Sequence, residues 1–351
     1  MDKKFFLVIC MLLAALVLTA CASNQAAEPT AEPAAEADAS AEAEPADLKK
    51  VTLMLDYTPN TNHTGFYVAR ELGYYTEAGL DVEIIEPGDN ATATMVAAGK
   101  ADFGVSYQED TTYALTAEEP LPIKAIAAII QHNTSGFVSL KAANINSPKD
   151  FEGKTYAGWG APSEEAVIKA VMQADGGDFS KLTIVGADGS GFASLSADAD
   201  AGKVNIQWEF YGWAVTRGLM DGYDLNYMPC TELDERLDYY TPLIITNNDL
   251  IASDPELIKA FMGATKKGYE YAIANPDEAA KILHDTALPD TDMEFLTKSQ
   301  EYLSGEYAKD AESWGVMTDK VWDNYTNFML EYGLIDHTIP ASDQYTNEFV
   351  K

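Results

Sequence analysis

The tightest constraint on the fold is a rapid alternation of short apolar runs and amphipathic stretches that begins at Lys49. "VTLML" reads as a strand, and "HTGFYVARELGYYTEAGL" carries apolar residues at helical spacing until Gly79 stops it. "DVEIIEP" reads as a second strand, "NATATMVAAGK" as a small-residue helix ending at Gly99, and "ADFGVSY" as a third strand. Strands alternating with helices of this length build parallel α/β units. "IKAIAAIIQHNTSGFVSL" predicts two strands around a polar turn, after which the alternation restarts. "KTYAGWG", "KLTIVGA" and "VNIQWEF" read as strands. "APSEEAVIKAVMQADG", "GFASLSADADAG" and "YGWAVTRGL" read as helices. "TPLIITNNDLI" reads as a return strand, and beyond Asp254 the pattern is almost wholly helical. The expected fold class is therefore α/β, with two lobes joined by extended crossings near residues 138 and 243 and a cleft between them.

The front of the chain is set apart from this pattern. "MDKKFFLVICMLLAALVLTAC" has a basic tip, an apolar run and a small-residue site, which predicts a signal peptide over residues 1–20. Leu18-Thr19-Ala20-Cys21 resembles the lipobox of bacterial lipoproteins, so lipid on Cys21 is expected to hold the protein on the extracytoplasmic face of a cell membrane. Residues 21–48 are rich in Ala, Glu and Pro and lack the apolar side chains for a core, as an acidic tether would. The expected organisation continues with a first lobe over 49–138, a second over 139–243, and a return to the first lobe with C-terminal helices over 244–351. With Cys10 removed and Cys21 lipidated, Cys230 is left without a disulfide partner. The net charge of −33 argues against nucleic acid and anionic lipid headgroups as partners and favours a neutral or cationic ligand.

In open α/β sheets ligands sit outside the carboxyl ends of the strands. That rule selects Asp56 to Asn62, Tyr107 to Glu109, Gly158 to Glu164 and Trp208 to Trp213. The first loop offers Asp56, Tyr57, Asn60 and Asn62, with Pro59 stiffening the turn; Asn60 or Asn62 is equally suited to cap the next helix. Tyr107, Gln108 and Glu109 pair a ring with an amide and a carboxylate. Ser163 and Glu164 stand at a helix start, where the dipole alone favours a carboxylate. "WEFYGW" sets Glu209 among Trp208, Tyr211 and Trp213, while Phe210 reads as strand packing. A carboxylate in an aromatic cluster needs an N–H partner, which an aminopyrimidine supplies while flanking rings stack on it. No phosphate loop, nucleophile elbow, C-x-x-C or H-E-x-x-H pair occurs, and His63, His132, His284 and His337 are scattered. No catalytic residue, metal site or cofactor is expected.

Together, "LDYTPNTNHTGFYVARELGYYTEAGLDVEI", "ADFGVSYQED", "IIQHNTSGF", "GWGAPSEE" and "WEFYGW" resemble the substrate-binding proteins of ABC importers, in the thiamine-pyrimidine-precursor branch of the sulfonate- and pyrimidine-binding family. The resemblance spans roughly residues 50 to 335. It implies a type 2 periplasmic binding protein fold, a permease partner, and a formylaminopyrimidine or hydroxymethylpyrimidine ligand taken up for thiamine synthesis. Riboflavin-binding relatives make riboflavin the alternative ligand. Tyr57 stands where the resemblance leads one to expect Trp. A eukaryotic pyrimidine synthase in the family consumes its own histidine and uses a cysteine-rich iron motif; this chain has no such cysteine cluster, so a binding role is expected rather than an enzymatic one.

Overall fold

β1 (Lys49–Met54) buries Val51, Leu53 and Met54, and its parallel partner β2 (Leu80–Ile85) buries Leu80 and Val82 while Asp81 faces outward. The computed structural model describes residues 48–88, 91–198 and 202–350; the expected signal peptide, the lipidated Cys21 and almost all of the tether lie outside the described residues. The remaining strands are β3 (Phe103–Ser106), β4 (Ile123–Ala128), β5 (Ser135–Leu140), β6 (Thr155–Gly158), β7 (Thr183–Gly186), β8 (Ile206–Phe210), β9 (Leu225–Pro229) and β10 (Leu243–Asn247).

They form two five-stranded sheets with orders β2-β1-β3-β10-β4 and β7-β6-β8-β5-β9. β10 runs antiparallel to β3 and β4, and β5 runs antiparallel to β8 and β9, so both sheets are mixed. β4 and β5 belong to different sheets rather than to one hairpin: the chain crosses between sheets over residues 129–134 and returns over 230–242. The two crossings are tied together, because Asp238 accepts from Asn133 N at 3.0 Å and pairs with His132 Nδ1 at 2.7 Å.

The first core lies between the first sheet and the helices Thr64–Glu71 and Pro255–Ala274, where Phe103 stacks on Phe261 with centroids 3.8 Å apart. Those helices touch backbone to backbone: a Cβ built on Gly268 would lie 2.1 Å from the Gly65 carbonyl oxygen. The second core gathers Phe137, Tyr156, Trp208, Val167 and Val171, and it also takes in Tyr325, Phe328 and Met329 from the helix Asp319–Glu331. That helix inserts Trp322 into a third cluster against the first sheet, so a single C-terminal helix is packed into both lobes. Among the described residues no helix is long and apolar enough to cross a membrane.

Two expected helices differ. The stretch from Gly191 forms only a 3₁₀ turn, Gly191–Ser194, because side chains take its backbone groups: Ser194 Oγ and, from β8, Gln207 Nε2 donate to Gly191 O, and Asp198 N donates to Ser196 Oγ. The segment after β8 opens as one π-helical turn, Tyr211–Val215, before Thr216–Met220 becomes α-helical. π-Turns are frequent at functional sites.

Candidate functional site

The strand order of each sheet reverses at one point, between β1 and β3 in the first lobe and between β6 and β8 in the second. Such switch points open the crevice where open α/β sheets take ligands. Large exposed aromatic side chains stand there: Tyr57 is 67% exposed, Trp159 61%, Phe210 41% and Tyr107 40%. Most other aromatic side chains in the described residues are packed, so this exposure marks the strand ends as surfaces without a protein partner.

In the first lobe the loop after β1 is organised by a reciprocal cap. Asn60 Oδ1 accepts from Asn62 N at 2.9 Å, and Asn60 N donates to His63 Nδ1 at 3.2 Å. Because Nδ1 accepts, Nε2 carries the proton and donates to Asp56 at 2.8 Å. Asn62 offers its carbonyl to the Tyr269 hydroxyl at 2.8 Å. Asn60 and Asn62 therefore shape the turn, and the fully buried His63 aims the Asp56 carboxylate. Asp56, Ser106, Tyr107 and Asp110 line a cavity of about 240 Å³ at the switch point. Burial pushes the Asp110 carboxyl up, opposed by the Ser106 hydroxyl at 3.1 Å.

In the second lobe, Glu164 turns into its own loop. Its carboxylate accepts from Tyr156 Oη at 2.5 Å, Trp159 N at 3.1 Å, Gly160 N at 2.5 Å and Ala161 N at 2.8 Å. Trp159, held by this loop, leans on Trp208 with ring centroids 5.4 Å apart. On the opposite face of β8, Glu209 shares a cavity of about 340 Å³ with Trp213, Arg217, Tyr223 and Phe295. Burial alone pushes its carboxyl up to about 7, and no donor among the described residues opposes that rise. Trp213 packs on Phe295 at 4.8 Å, and Tyr211 packs on Tyr302 at 4.6 Å.

The lobes meet at Glu109. Its carboxylate accepts from the Tyr325 hydroxyl at 2.7 Å and from the Ser163 hydroxyl, and burial raises it above the usual carboxylate range. Gln108 looks inward instead: Oε1 accepts from Tyr240 N at 3.1 Å and Nε2 donates to Val321 O at 3.2 Å. Of the residues selected from sequence, Asp56, Tyr57 and Tyr107 gather at the first switch point, Ser163 and Glu164 line the loop opposite, Glu209 is the second-last residue of β8, and Tyr211 and Trp213 lie just beyond it. Trp159 falls inside the selected loop Gly158 to Glu164 without being singled out, Phe210, expected to pack the strand, is instead 41% exposed because it is the last residue of β8, and Asp110 lies one residue past the selected Tyr107 to Glu109. Trp159 and Phe210 sit one residue past or at the last position of β6 and β8, and that placement is the signal that could have found them. Among the described residues no group of three or more His, Cys, Asp or Glu side chains is placed to hold a metal ion.

Comparison with known proteins places this geometry in context. The chain is 30% identical over 328 residues to a formylaminopyrimidine-binding protein of Halalkalibacterium halodurans, covering 89% of this chain and 91% of that protein. It is 26% identical to the riboflavin-binding protein RibY of Chloroflexus aurantiacus, over 97% of this chain and 96% of RibY. It is 24% identical to a 4-amino-5-hydroxymethyl-2-methylpyrimidine phosphate synthase of Legionella pneumophila, over 86% of this chain and 92% of that enzyme. Among solved structures, the sulfonate-binding SsuA proteins of Methylobacillus flagellatus and Xanthomonas axonopodis superpose with TM-scores of 0.63 and 0.61 at 17% and 11% identity. They cover 86% and 87% of this chain and 93% and 99% of theirs, which identifies the two-lobed periplasmic-binding-protein fold. Residues 60–279 match the NMT1/THI5-like family, and the chain belongs to that family.

Proposed function

We propose that this protein is the extracytoplasmic binding component of an ABC importer and that its cleft closes on a thiamine pyrimidine precursor, a formylaminopyrimidine or hydroxymethylpyrimidine. The observation that carries the reading is Glu209, a partly buried carboxylate with no donor among the described residues, in a cavity with Trp213 next to the carboxyl end of β8. A ring bearing N–H groups supplies the missing donor, and stacking on exposed aromatic faces supplies apolar contact. The formylaminopyrimidine-binding relative, matched over nine-tenths of the chain, supports the same ligand class. In this reading Asp56, Tyr57 and Tyr107 form one wall, Ser163 and Glu164 hold the facing loop, and Glu209, Tyr211 and Trp213 close the end. Asn60, Asn62 and Gln108 act as supports for that surface.

Closure is a hinge motion about the paired crossings at 129–134 and 230–242, and ligand shifts it by touching both lobes. A lipid on Cys21 holds the receptor at the membrane beside its permease. The role is binding without chemistry. Thermal-shift titration of residues 48–351 against both pyrimidines, thiamine, riboflavin and taurine tests it. Saturation to 100 times the dissociation constant adds about 2.7 kcal/mol to stability. A shift with pyrimidines alone supports the proposal, and a shift with riboflavin alone replaces the ligand. The match to RibY over 97% of the chain is the observation that keeps riboflavin as the second reading.

A further inference from the structure

The amide groups at a helix start form a natural anion receptor, because unpaired N–H groups and the dipole both point outward. The helix Pro162–Ala174 opens directly onto the crevice, and the three consecutive amides of Trp159, Gly160 and Ala161 turn toward one point before it. In this chain that point is already filled. Both oxygens of Glu164 lie in it, completed by the Tyr156 hydroxyl at 2.5 Å, and the side chain is almost fully buried. The backbone is shaped for the carboxylate: a Cβ on Gly158 would lie 1.9 Å from Glu164 Oε1, and Gly160 adopts φ +85°. The surrounding charge has the same sense. Among the described residues lining the cavity at the first switch point and the cavity beside Glu209, the one Lys or Arg is Arg217, which pairs with Asp221 at 3.1 Å and lies 3.8 Å from Asp292.

We propose that Glu164 is a built-in anion and a specificity determinant: its carboxylate occupies the amide nest of residues 159–161, so the cleft rejects free oxyanions and holds Trp159 in place for an uncharged nitrogen heterocycle. Sulfonates, phosphate esters and sulfate find this preformed amide nest occupied, with the Glu109 carboxylate against Ser163 beside it and Asp110 lining the cavity of the first lobe. The same carboxylate fixes the loop that carries the exposed Trp159 ring. Ring positioning rests on the function proposed above, whereas anion exclusion stands on the nest alone.

The test is chemical rescue. Glu164→Ala removes the atoms of one acetate ion and leaves the amides facing the space. The variant is expected to melt lower than wild type and to bind the pyrimidine at least about tenfold more weakly. Acetate at about 50 mM is expected to restore both values in the variant, acetamide to restore neither, and wild type to respond to neither. Methanesulfonate and sulfate are expected to leave the wild-type melting temperature unchanged. Should Glu164→Ala fail to fold, Glu164→Gln keeps the shape but turns an NH₂ group onto the amides; it is expected to lose stability and affinity without responding to acetate. Acetate acting no better than acetamide on Glu164→Ala, a wild-type shift with methanesulfonate, or a Glu164→Gln variant equal to wild type would each overturn the proposal. If no pyrimidine binds either protein, the ligand reading fails, while the melting response to acetate still decides the nest.

Discussion

Replacing Glu209 with Gln is expected to stabilise the ligand-free protein and weaken the liganded one. The carboxyl has no opposing donor among the described residues, and burial moves it from its ordinary 4.5 up to about 7. That displacement corresponds to a cost of about 3 kcal/mol when the group is ionised in the fold, as an upper figure. The sign follows from proton binding. Below pH 4.5 the group is protonated folded or unfolded and contributes nothing; between 4.5 and about 7 the folded state holds the extra proton, and stability falls as pH rises; above about 7 the full cost applies. Glu209→Gln removes the charge and keeps the shape, so at about pH 8 the variant should gain about 1–3 kcal/mol, and at about pH 4 the two proteins should match. Urea unfolding of ligand-free protein at both pH values measures this, with an unchanged slope confirming that the same surface is exposed. Calorimetry then reads the other half: the amide loses a charge-assisted hydrogen bond to the ligand, worth about 1.5–3 kcal/mol or roughly a factor of 10 to 100 in affinity. Equal stability at pH 8, or a gain that does not depend on pH, would refute the account of Glu209 as a desolvated carboxylate waiting for a donor.

Other consequences follow from packing and titration. Gly268→Ala drives a Cβ to 2.1 Å from the Gly65 carbonyl, so the two helices must part; a loss of at least about 2 kcal/mol is expected, and an unchanged melting temperature would contradict the close approach. His132 is raised above its ordinary 6.5 chiefly by its hydrogen bond to Asp238. Its contribution relative to His132→Ala is therefore fully present below pH 6.5 and lost as pH rises through the folded value; urea midpoints at about pH 5.5 and about pH 9 should differ accordingly. Burial pushes the Cys230 thiol up to about 12, so a disulfide reagent at neutral pH should label it only after denaturant is added.

The architecture was written locally. Alternating apolar runs and helical spacing identify nine of the strands' neighbourhoods and the C-terminal helices from residues close in the chain, because side-chain periodicity acts within a few residues. Loops after strand ends could be named as candidates for the same reason, and the aromatic and carboxylate content of Asp56–Asn62, Tyr107–Glu109, Gly158–Glu164 and Trp208–Trp213 is a property of composition. Local pattern failed where local alternatives compete. The Ser- and Asp-rich stretch at 191–198 satisfies its backbone through side chains and makes a 3₁₀ turn where a helix was predicted.

What a side chain does in those loops depended on contacts far away in sequence. Gln108 and Glu109 are adjacent, yet Gln108 is drawn inward by Tyr240 and Val321, and Glu109 reaches Ser163 and Tyr325 of other elements. Glu164 and Glu209 have the same ionisable group. One is satisfied by Tyr156 of β6 and three amides of its own loop, and the other is left in a cavity walled by Phe295 from the C-terminal helices. By itself the sequence determined nine of the strand positions, the C-terminal helices and the list of rings and carboxylates at the strand ends, since those follow from short-range periodicity and residue type. Only the tertiary structure decided which carboxylate is spent on the protein and which is left free, because desolvation and hydrogen-bond supply are set by elements that meet across the two lobes.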